Sequence, residues 1–212
     1  MSRKPRSSRN LPLVAFGARE RRESLAGPEG SVGESVDRTQ VLYRRPWRID
    51  VVTRAGVHSP LPSAGIAAAV ARALGAASAP APGSVTIVLT DDAELAELNE
   101  EHLGIDGPTD VLSFPMLPPS VFGHGEAGPP ERVSVPVRAG RTHIGDIAIS
   151  VERAIEQAAA GRGGQTGDVR WSAADELRLL VTHGVLHLCG WDHAEPADEA
   201  AMRALERRLM RE

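Results

Sequence analysis

The stretch from residue 183 to residue 193 reads His183-Gly184-Val185-Leu186-His187-Leu188-Cys189-Gly190-Trp191-Asp192-His193. It ends a segment in which apolar residues recur at helical spacing from Leu177 to Leu188. Ser172 and Asp175 precede that segment as an acidic variant of the capping box. Gly190 can adopt the left-handed conformation that ends a helix. The pattern therefore predicts one long helix that begins at Ser172 and runs through Leu188.

Two histidines of this predicted helix have the spacing of metal ligands. His183 and His187 are four residues apart, which places them on one helix face, about 6 Å apart along the axis. A chain reversal at Gly190 would bring His193 to the same ion from a non-helical position. Three neutral imidazoles leave one coordination position open, as in catalytic zinc sites. The sequence predicts one zinc ion per chain, bound by these three histidines.

The same histidine spacing occurs in zinc proteases with the motif H-E-x-x-H-x-x-G-x-x-H. Gly184 stands where those enzymes carry the glutamate that acts as general base. A protease of that mechanism would therefore lack its base. A zinc-dependent protease or related hydrolase stays open as an alternative that needs a base from outside the histidine motif.

The rest of the chain predicts an α/β (α+β-like) fold. Apolar and β-branched runs predict about four strands of a mixed sheet, interleaved with helices that cover it, and place the metal site on the long helix of the C-terminal half. Residues 1–45 lack a periodic apolar face and are predicted to be a disordered basic extension. Residues 46–212 are predicted to form the metal-binding domain, with residues 116–142 as a long surface loop rich in proline and glycine.

Charge is distributed unevenly along the chain. The net charge is −4, but residues 1–48 carry 11 Lys and Arg against 5 Asp and Glu, which leaves −10 on the remaining residues. An acidic body does not favour nucleic-acid binding, so an RNA partner would need a local basic surface, the basic tail or a protein partner. Cys189 is the only cysteine, so no internal disulfide can form and a reducing compartment is expected. No apolar run approaches the roughly 20 residues of a membrane span.

Four ordered blocks resemble the YbeY family. Residues 183–193 follow that family's H-G-x-L-H-L-x-G-Y-D-H, with Trp191 in the position of the usual tyrosine. Residues 108–115 read P-T-D-V-L-S-F-P, and residues 145–150 match G-D-I-x-I-S. The fourth block comprises Ala154, Gln157-Ala158 and Glu176-Leu177. The resemblance extends from about Trp47 to the C-terminus.

The resemblance implies a cytoplasmic, zinc-dependent, single-strand-specific endoribonuclease. Its expected roles are 3′-end maturation of small-subunit ribosomal RNA and ribosome quality control, with the small ribosomal subunit and one of its proteins as partners. A third alternative is a non-catalytic ribosome-assembly factor in which the zinc is structural. Leu103 stands where many members carry an arginine, which leaves the role of this region open.

Three further residues are candidates for catalysis. Asp192 adjoins the third predicted ligand and is a candidate for orienting an imidazole or binding water, although a simple turn residue explains it equally well. Asp110 and Thr109 precede a predicted strand and are candidates for reaching the site from a loop. A local Asx turn after Pro108 accounts for them at least as well. Cys189 is expected to face away from the ligands and pack in the core.

Overall fold

The structure, a computed structural model, describes residues 36–122, 137–138, 140–161, 171–192 and 195–211. Its strands are β1 (Arg38–Arg44), β2 (Trp47–Thr53), β3 (Gly83–Thr90), β4 (Val111–Pro115), β5 (Val137–Arg138) and β6 (Arg141–Ser150). Its helices are α1 (Ser63–Ala76), α2 (Asp92–Leu103), α3 (Val151–Ala159), α4 (Ala173–Leu188) and α5 (Pro196–Arg211). Within these ranges no helix combines the length and the apolar character needed to cross a membrane.

The strands form one mixed sheet in the order β1-β2-β3-β6-β4, and the short β5 pairs with the start of β6. The central strands β2, β3 and β6 are parallel, whereas β1 and β4 run antiparallel to their neighbours. Parallel neighbours require crossover connections, which the intervening helices provide. The predicted α/β class with a mixed sheet covered by helices is confirmed. The sheet has more than the predicted four strands because β1 and β5 fall in stretches predicted to lack regular structure.

The sheet separates a large core from a small one. Along β3, Ile87 and Leu89 belong to the large core, whereas Val88 between them faces the small core. This alternation follows from the two-residue period of a strand. The large core includes buried residues of α1, α3, α4 and α5, and the small core includes Leu95 and Leu98 of α2. Helix α4 therefore lies on the face opposite α2.

The boundary predicted for the N-terminal extension is wrong at its last residues. Residues 38–44 form β1, which pairs antiparallel with β2 from Arg38–Thr53 to Arg44–Trp47. All seven residues are exposed or half-buried, so an apolar alternation that would reveal a strand is missing. Pairing with β2 nevertheless satisfies the backbone hydrogen-bonding groups along one edge of β1. Residues 1–35 lie outside the described residues, so the prediction of disorder there stays a prediction.

The predicted surface loop 116–142 also differs at its ends. Leu117 and Phe122 are buried in the large core, and residues 119–122 form a short 3-10 helix. Val137–Arg138 pairs with the start of β6. Apolar side chains spaced five residues apart anchor this end of the segment in the core. Residues 123–136 and residue 139 lie outside the described residues.

Candidate metal centre

Helix α4 begins with the capping box that the sequence predicts. The Ser172 hydroxyl accepts a hydrogen bond from the Asp175 backbone N–H at 3.2 Å, and the Asp175 carboxylate accepts one from the Ser172 backbone N–H at 3.2 Å. The Ser172 hydroxyl also donates to this carboxylate at 2.7 Å, and this hydrogen bond lowers the pKa of Asp175. These bonds satisfy backbone groups that a helix start leaves without helical partners. The helix start is thereby fixed, and with it the direction of each side chain along α4.

One face of α4 lies directly on the sheet. A Cβ atom at Gly184 would lie 2.9 Å from the Ile147 Cγ2 atom and 3.2 Å from the Val111 Cγ2 atom. The Ser113 hydroxyl donates a hydrogen bond to the Gly184 carbonyl at 3.1 Å. Glycine is therefore needed here for close packing against β6 and β4. A glutamate at this position, as in the zinc proteases, would direct its carboxylate towards apolar side chains of the sheet.

The two histidines of α4 lie on a different face and point at each other. The Nε2 atoms of His183 and His187 are 3.0 Å apart, and their ring planes are inclined by 78°. Two imidazoles at about 2.0–2.1 Å from one tetrahedral zinc ion would place their nitrogen atoms about 3.3 Å apart. Both side chains are half-buried, so the pair is partly accessible to solvent. The pair fits ligation of a shared zinc ion.

A buried carboxylate supports this histidine pair from α5. The Oε1 atom of Glu206 lies 2.7 Å from the Nδ1 atom of His183, and Glu206 is only 5% exposed. A carboxylate accepts, so a neutral imidazole here carries its proton on Nδ1 and directs the Nε2 lone pair towards His187. Metal-binding histidines commonly have such a partner on their second nitrogen. The arrangement holds His183 in the tautomer that a metal ligand needs.

Sequence reasoning missed Glu206. Helix α5 packs through Met202, Leu205 and Leu209, and all three are buried. Glu206 lies on the same stripe, four residues after Met202 and three before Leu209. A carboxylate on the apolar stripe of a helix was the available signal, because buried carboxylates are rare unless they have a partner.

The third predicted ligand, His193, lies outside the described residues. Among the described residues no group of three His, Cys, Asp or Glu side chains is arranged to hold a metal ion. Gly190, three residues earlier, has a φ of +82° and its N–H donates to the His187 carbonyl at 3.0 Å. It therefore ends α4 in the left-handed conformation that the sequence predicts. Three-histidine ligation remains a prediction.

The candidate catalytic residues differ in their exposure to solvent and in their hydrogen bonds. Asp192 is exposed and follows the end of α4 by four residues. Asp110 accepts hydrogen bonds from Gln157 of α3 at 3.1 Å and from Thr109 at 3.4 Å, and its backbone carbonyl accepts from Ser150 at 3.0 Å. These contacts tie β4 to β6 and α3. Within the described residues, no hydrogen bond joins Asp110 or Thr109 to the histidine pair.

Cys189 is a core residue, as predicted. Its side chain is fully buried, and burial raises the pKa of its thiol to about 12. The thiol therefore stays protonated at neutral pH, whereas a thiolate is the form that ligates zinc. This cysteine packs in the large core.

A cluster of buried polar side chains lies on the face of the sheet opposite helix α4. The Nε2 atom of His143 lies 3.0 Å from the Oδ1 atom of Asp146, and its Nδ1 atom lies 3.2 Å from the Ser84 hydroxyl. All three side chains are buried. Asp146 is next to Thr86 in the sheet and has the same orientation as Ala148 of the small core. The sheet therefore separates Asp146 from α4.

Comparison with known proteins identifies one family. The endoribonuclease YbeY family model matches residues 61–212. An endoribonuclease YbeY from Salinispora tropica is 45% identical over 127 residues, which are 59% of this chain and 71% of that protein. One from Roseiflexus sp. is 44% identical over 131 residues, 61% of this chain and 70% of that protein. The solution structure of a Thermotoga maritima protein aligns with a TM-score of 0.45 and 22% identity, covering 77% of this chain and 86% of that one.

Proposed function

The chain belongs to the endoribonuclease YbeY family, and on this premise we propose that it is a zinc-dependent endoribonuclease that cleaves single-stranded RNA. Its proposed substrate is small-subunit ribosomal RNA, in 3′-end maturation and in ribosome quality control. We place this activity in the cytoplasm, beside a protein of the small ribosomal subunit. The family match supports the reaction class, since it spans the whole histidine motif.

The observation that carries the zinc proposal is the histidine pair with its buried carboxylate. The proposed ligands are His183, His187 and His193, with one zinc ion per chain. When bound, zinc supplies Lewis-acid chemistry that polarises a phosphoryl oxygen of the substrate. Glu206 has the supporting role of keeping the proton of His183 on Nδ1, at a distance of 2.7 Å. The half-buried pair is partly accessible to a phosphodiester.

Among the acidic residues, Asp192 is our candidate for moving a proton during cleavage. It adjoins the third proposed ligand and is exposed, so water and substrate can reach its carboxylate. Asp110 and Thr109 are weaker candidates, because Asp110 accepts hydrogen bonds from Gln157 and Ser150, and Thr109 donates one to Asp110. These contacts give both residues a structural role. Asp192→Asn should therefore reduce the cleavage rate more than Asp110→Asn does.

One experiment separates this function from its alternatives. Single-stranded ribosomal RNA and casein are incubated separately with the full-length chain, loaded with zinc or treated with a chelator. We expect zinc-loaded protein to cut RNA, chelation to stop the cleavage, and added zinc to restore it. Cleavage of casein instead of RNA would contradict the proposal in favour of a protease. Equal RNA cleavage with and without chelator would contradict the role of the metal.

A further inference from the structure

The turn between β1 and β2 presents an exposed aromatic ring. Tyr43 is 61% exposed and pairs with Arg48 across the two strands. The guanidinium carbon of Arg141, from the start of β6, lies 5.7 Å from the centre of the tyrosine ring. The Arg141 side chain also donates a hydrogen bond to the Pro46 carbonyl at 2.6 Å. These contacts hold a guanidinium group against a solvent-exposed ring.

The surroundings of this ring are basic. Arg44 and Arg45 follow Tyr43 directly and are exposed. In the part of the chain that the structure describes, no carboxylate forms an ion pair with Arg44, Arg45 or Arg141. The neighbouring Arg48, by contrast, is paired with Asp50 at 2.9 Å. Arg44 donates a hydrogen bond to the Ala64 carbonyl of α1 at 3.4 Å, so it points to the other face of the sheet from Tyr43. Arg45 and Arg141 thus add positive charge at the end of the sheet that carries Tyr43, on a protein whose residues 49–212 carry a net charge of −10.

This patch lies towards the same end of the sheet as the histidine pair, but on the opposite face, because Leu42 next to Tyr43 packs against the large core that contains α4. Gly184 of α4 packs against Ile147 in the middle of β6, and Leu188 packs against Gly145 nearer the start of that strand. Helix α4 therefore runs antiparallel to β6, and its last turn with His187 is directed towards the end where β6 begins. Arg141 is the first residue of β6.

We propose that Tyr43, Arg45 and Arg141, which we call the tip patch, bind single-stranded RNA. An unpaired base stacks on the exposed face of Tyr43, and the guanidinium groups contact the adjacent phosphates. This inference rests on the proposed function, because it assigns a second contact to the same RNA strand. An exposed aromatic ring beside arginines that form no ion pair within the described residues fits unstacked bases, whereas bases in a duplex already stack on one another. The tip patch is also a local basic surface on the acidic body of the protein.

The test measures binding of a short fluorescent oligouridine to the full-length chain by fluorescence anisotropy, with a gel to show that the oligonucleotide stays intact. Tyr43→Ala should weaken binding about ten-fold, whereas Tyr43→Phe should stay within about two-fold of the wild type, since it keeps the ring. Replacing Arg45 and Arg141 with alanine should reduce the salt dependence of binding. The slope of the logarithm of the binding constant against the logarithm of the salt concentration should become shallower by about 0.7 per charge removed. Thermal unfolding of each variant shows whether it keeps its fold.

Arg38→Ala is the matched control, because Arg38 is also exposed and lies on β1 at its other end. It should change the affinity less than about two-fold, as expected for a charge outside the contact. Equal losses in Arg38→Ala and Arg45→Ala would overturn the inference in favour of a diffuse charge effect. Unchanged binding in a folded Tyr43→Ala variant would overturn it as well. Neither result affects zinc-dependent cleavage by the wild type, which tests the proposed function separately.

Discussion

Helix α4 has two faces that meet different requirements. The face towards the sheet carries Gly184, where even one additional carbon atom would lie 2.9 Å from Ile147. The outer face carries His183 and His187, whose Nε2 atoms lie 3.0 Å apart beside the Glu206 carboxylate of α5. The volume of the side chain decides which residue fits the face towards the sheet. On the outer face, the direction of the side chain and its hydrogen bonds decide which residue fits.

The two faces are only one residue apart along the chain. Successive residues of a helix are rotated by about 100°, so Gly184 points to the sheet although it follows His183 directly. The close packing of the inner face fixes the position of the backbone that carries the histidines. Substitutions on the two faces should therefore have separable effects, with stability lost on one and metal binding on the other.

The largest effect is expected for His187→Ala on the outer face. Loss of a ligand should abolish zinc binding and reduce RNA cleavage to the level of the chelated wild type. The unfolding midpoint measured with zinc should fall, since metal binding is coupled to folding. Mass spectrometry of the metal content and a cleavage assay test this on one sample. His58→Ala, at an exposed histidine outside the site, is the control. Full zinc occupancy in His187→Ala would remove His187 from the ligand set.

The second-largest effect is expected for Glu206, whose carboxylate contacts His183. Glu206→Ala should weaken zinc binding about ten- to hundred-fold, because His183 loses the group that fixes its tautomer. Glu206→Gln should recover part of that affinity, since the amide oxygen still accepts from Nδ1. Competition with a chromophoric chelator measures both affinities. If both variants bind zinc like the wild type, Glu206 is a core residue without a role at the metal site.

A smaller effect is expected on the inner face. Gly184→Ala should lower the free energy of unfolding by about 1–2 kcal/mol, since overpacking outweighs the gain in helix propensity. Zinc affinity should change little. Gly75→Ala in α1 is the matched control, because no atom lies within 4 Å of its added Cβ atom. That variant should be as stable as the wild type or up to about 1 kcal/mol more stable. Urea unfolding measures both, and equal stability of the two variants would contradict the packing argument.

The contrast between α4 and β1 shows what the sequence can reveal. The start of α4, its apolar stripe and the glycine at its end are local features, so they are visible without knowledge of the fold. Strand β1 is ordered by pairing with β2, and its side chains are largely exposed. Its apolar residues Val41, Leu42 and Tyr43 are consecutive and do not alternate with polar ones, so they do not show the pattern of a half-buried strand. Its place in the sheet depends on a neighbouring strand rather than on its own composition.

The candidate site divides in the same way. The spacing of His183 and His187 is a property of one helix and predicts that their side chains meet. Glu206 and Ile147 belong to other elements, and their contacts with α4 depend on the packing of those elements. The reason for glycine at position 184 therefore becomes visible only in the structure. A glutamate there, which helix propensity alone would permit, is opposed by the close approach of β6 and β4.

The smallest effect concerns the start of α4, which supports both faces equally. Ser172→Ala removes the hydroxyl that accepts from the Asp175 N–H, and should lower the free energy of unfolding at neutral pH by about 1 kcal/mol. Zinc affinity should stay unchanged, because His183 and His187 lie about three and four helical turns away. The loss should also depend on pH, since hydrogen bonding to Ser172 lowers the pKa of Asp175 below its ordinary 3.8. A carboxylate with a lowered pKa stabilises the folded state above the pKa of the unfolded chain, and this contribution disappears as the pH falls through the pKa in the folded state. The difference between wild type and Ser172→Ala should therefore be constant from neutral pH to about pH 5 and shrink in more acidic solution. Urea unfolding of the zinc-free proteins across this range tests it. A difference that stays constant on acidification would show that the hydroxyl acts on the backbone alone and that its hydrogen bond to the Asp175 carboxylate contributes nothing to the cap.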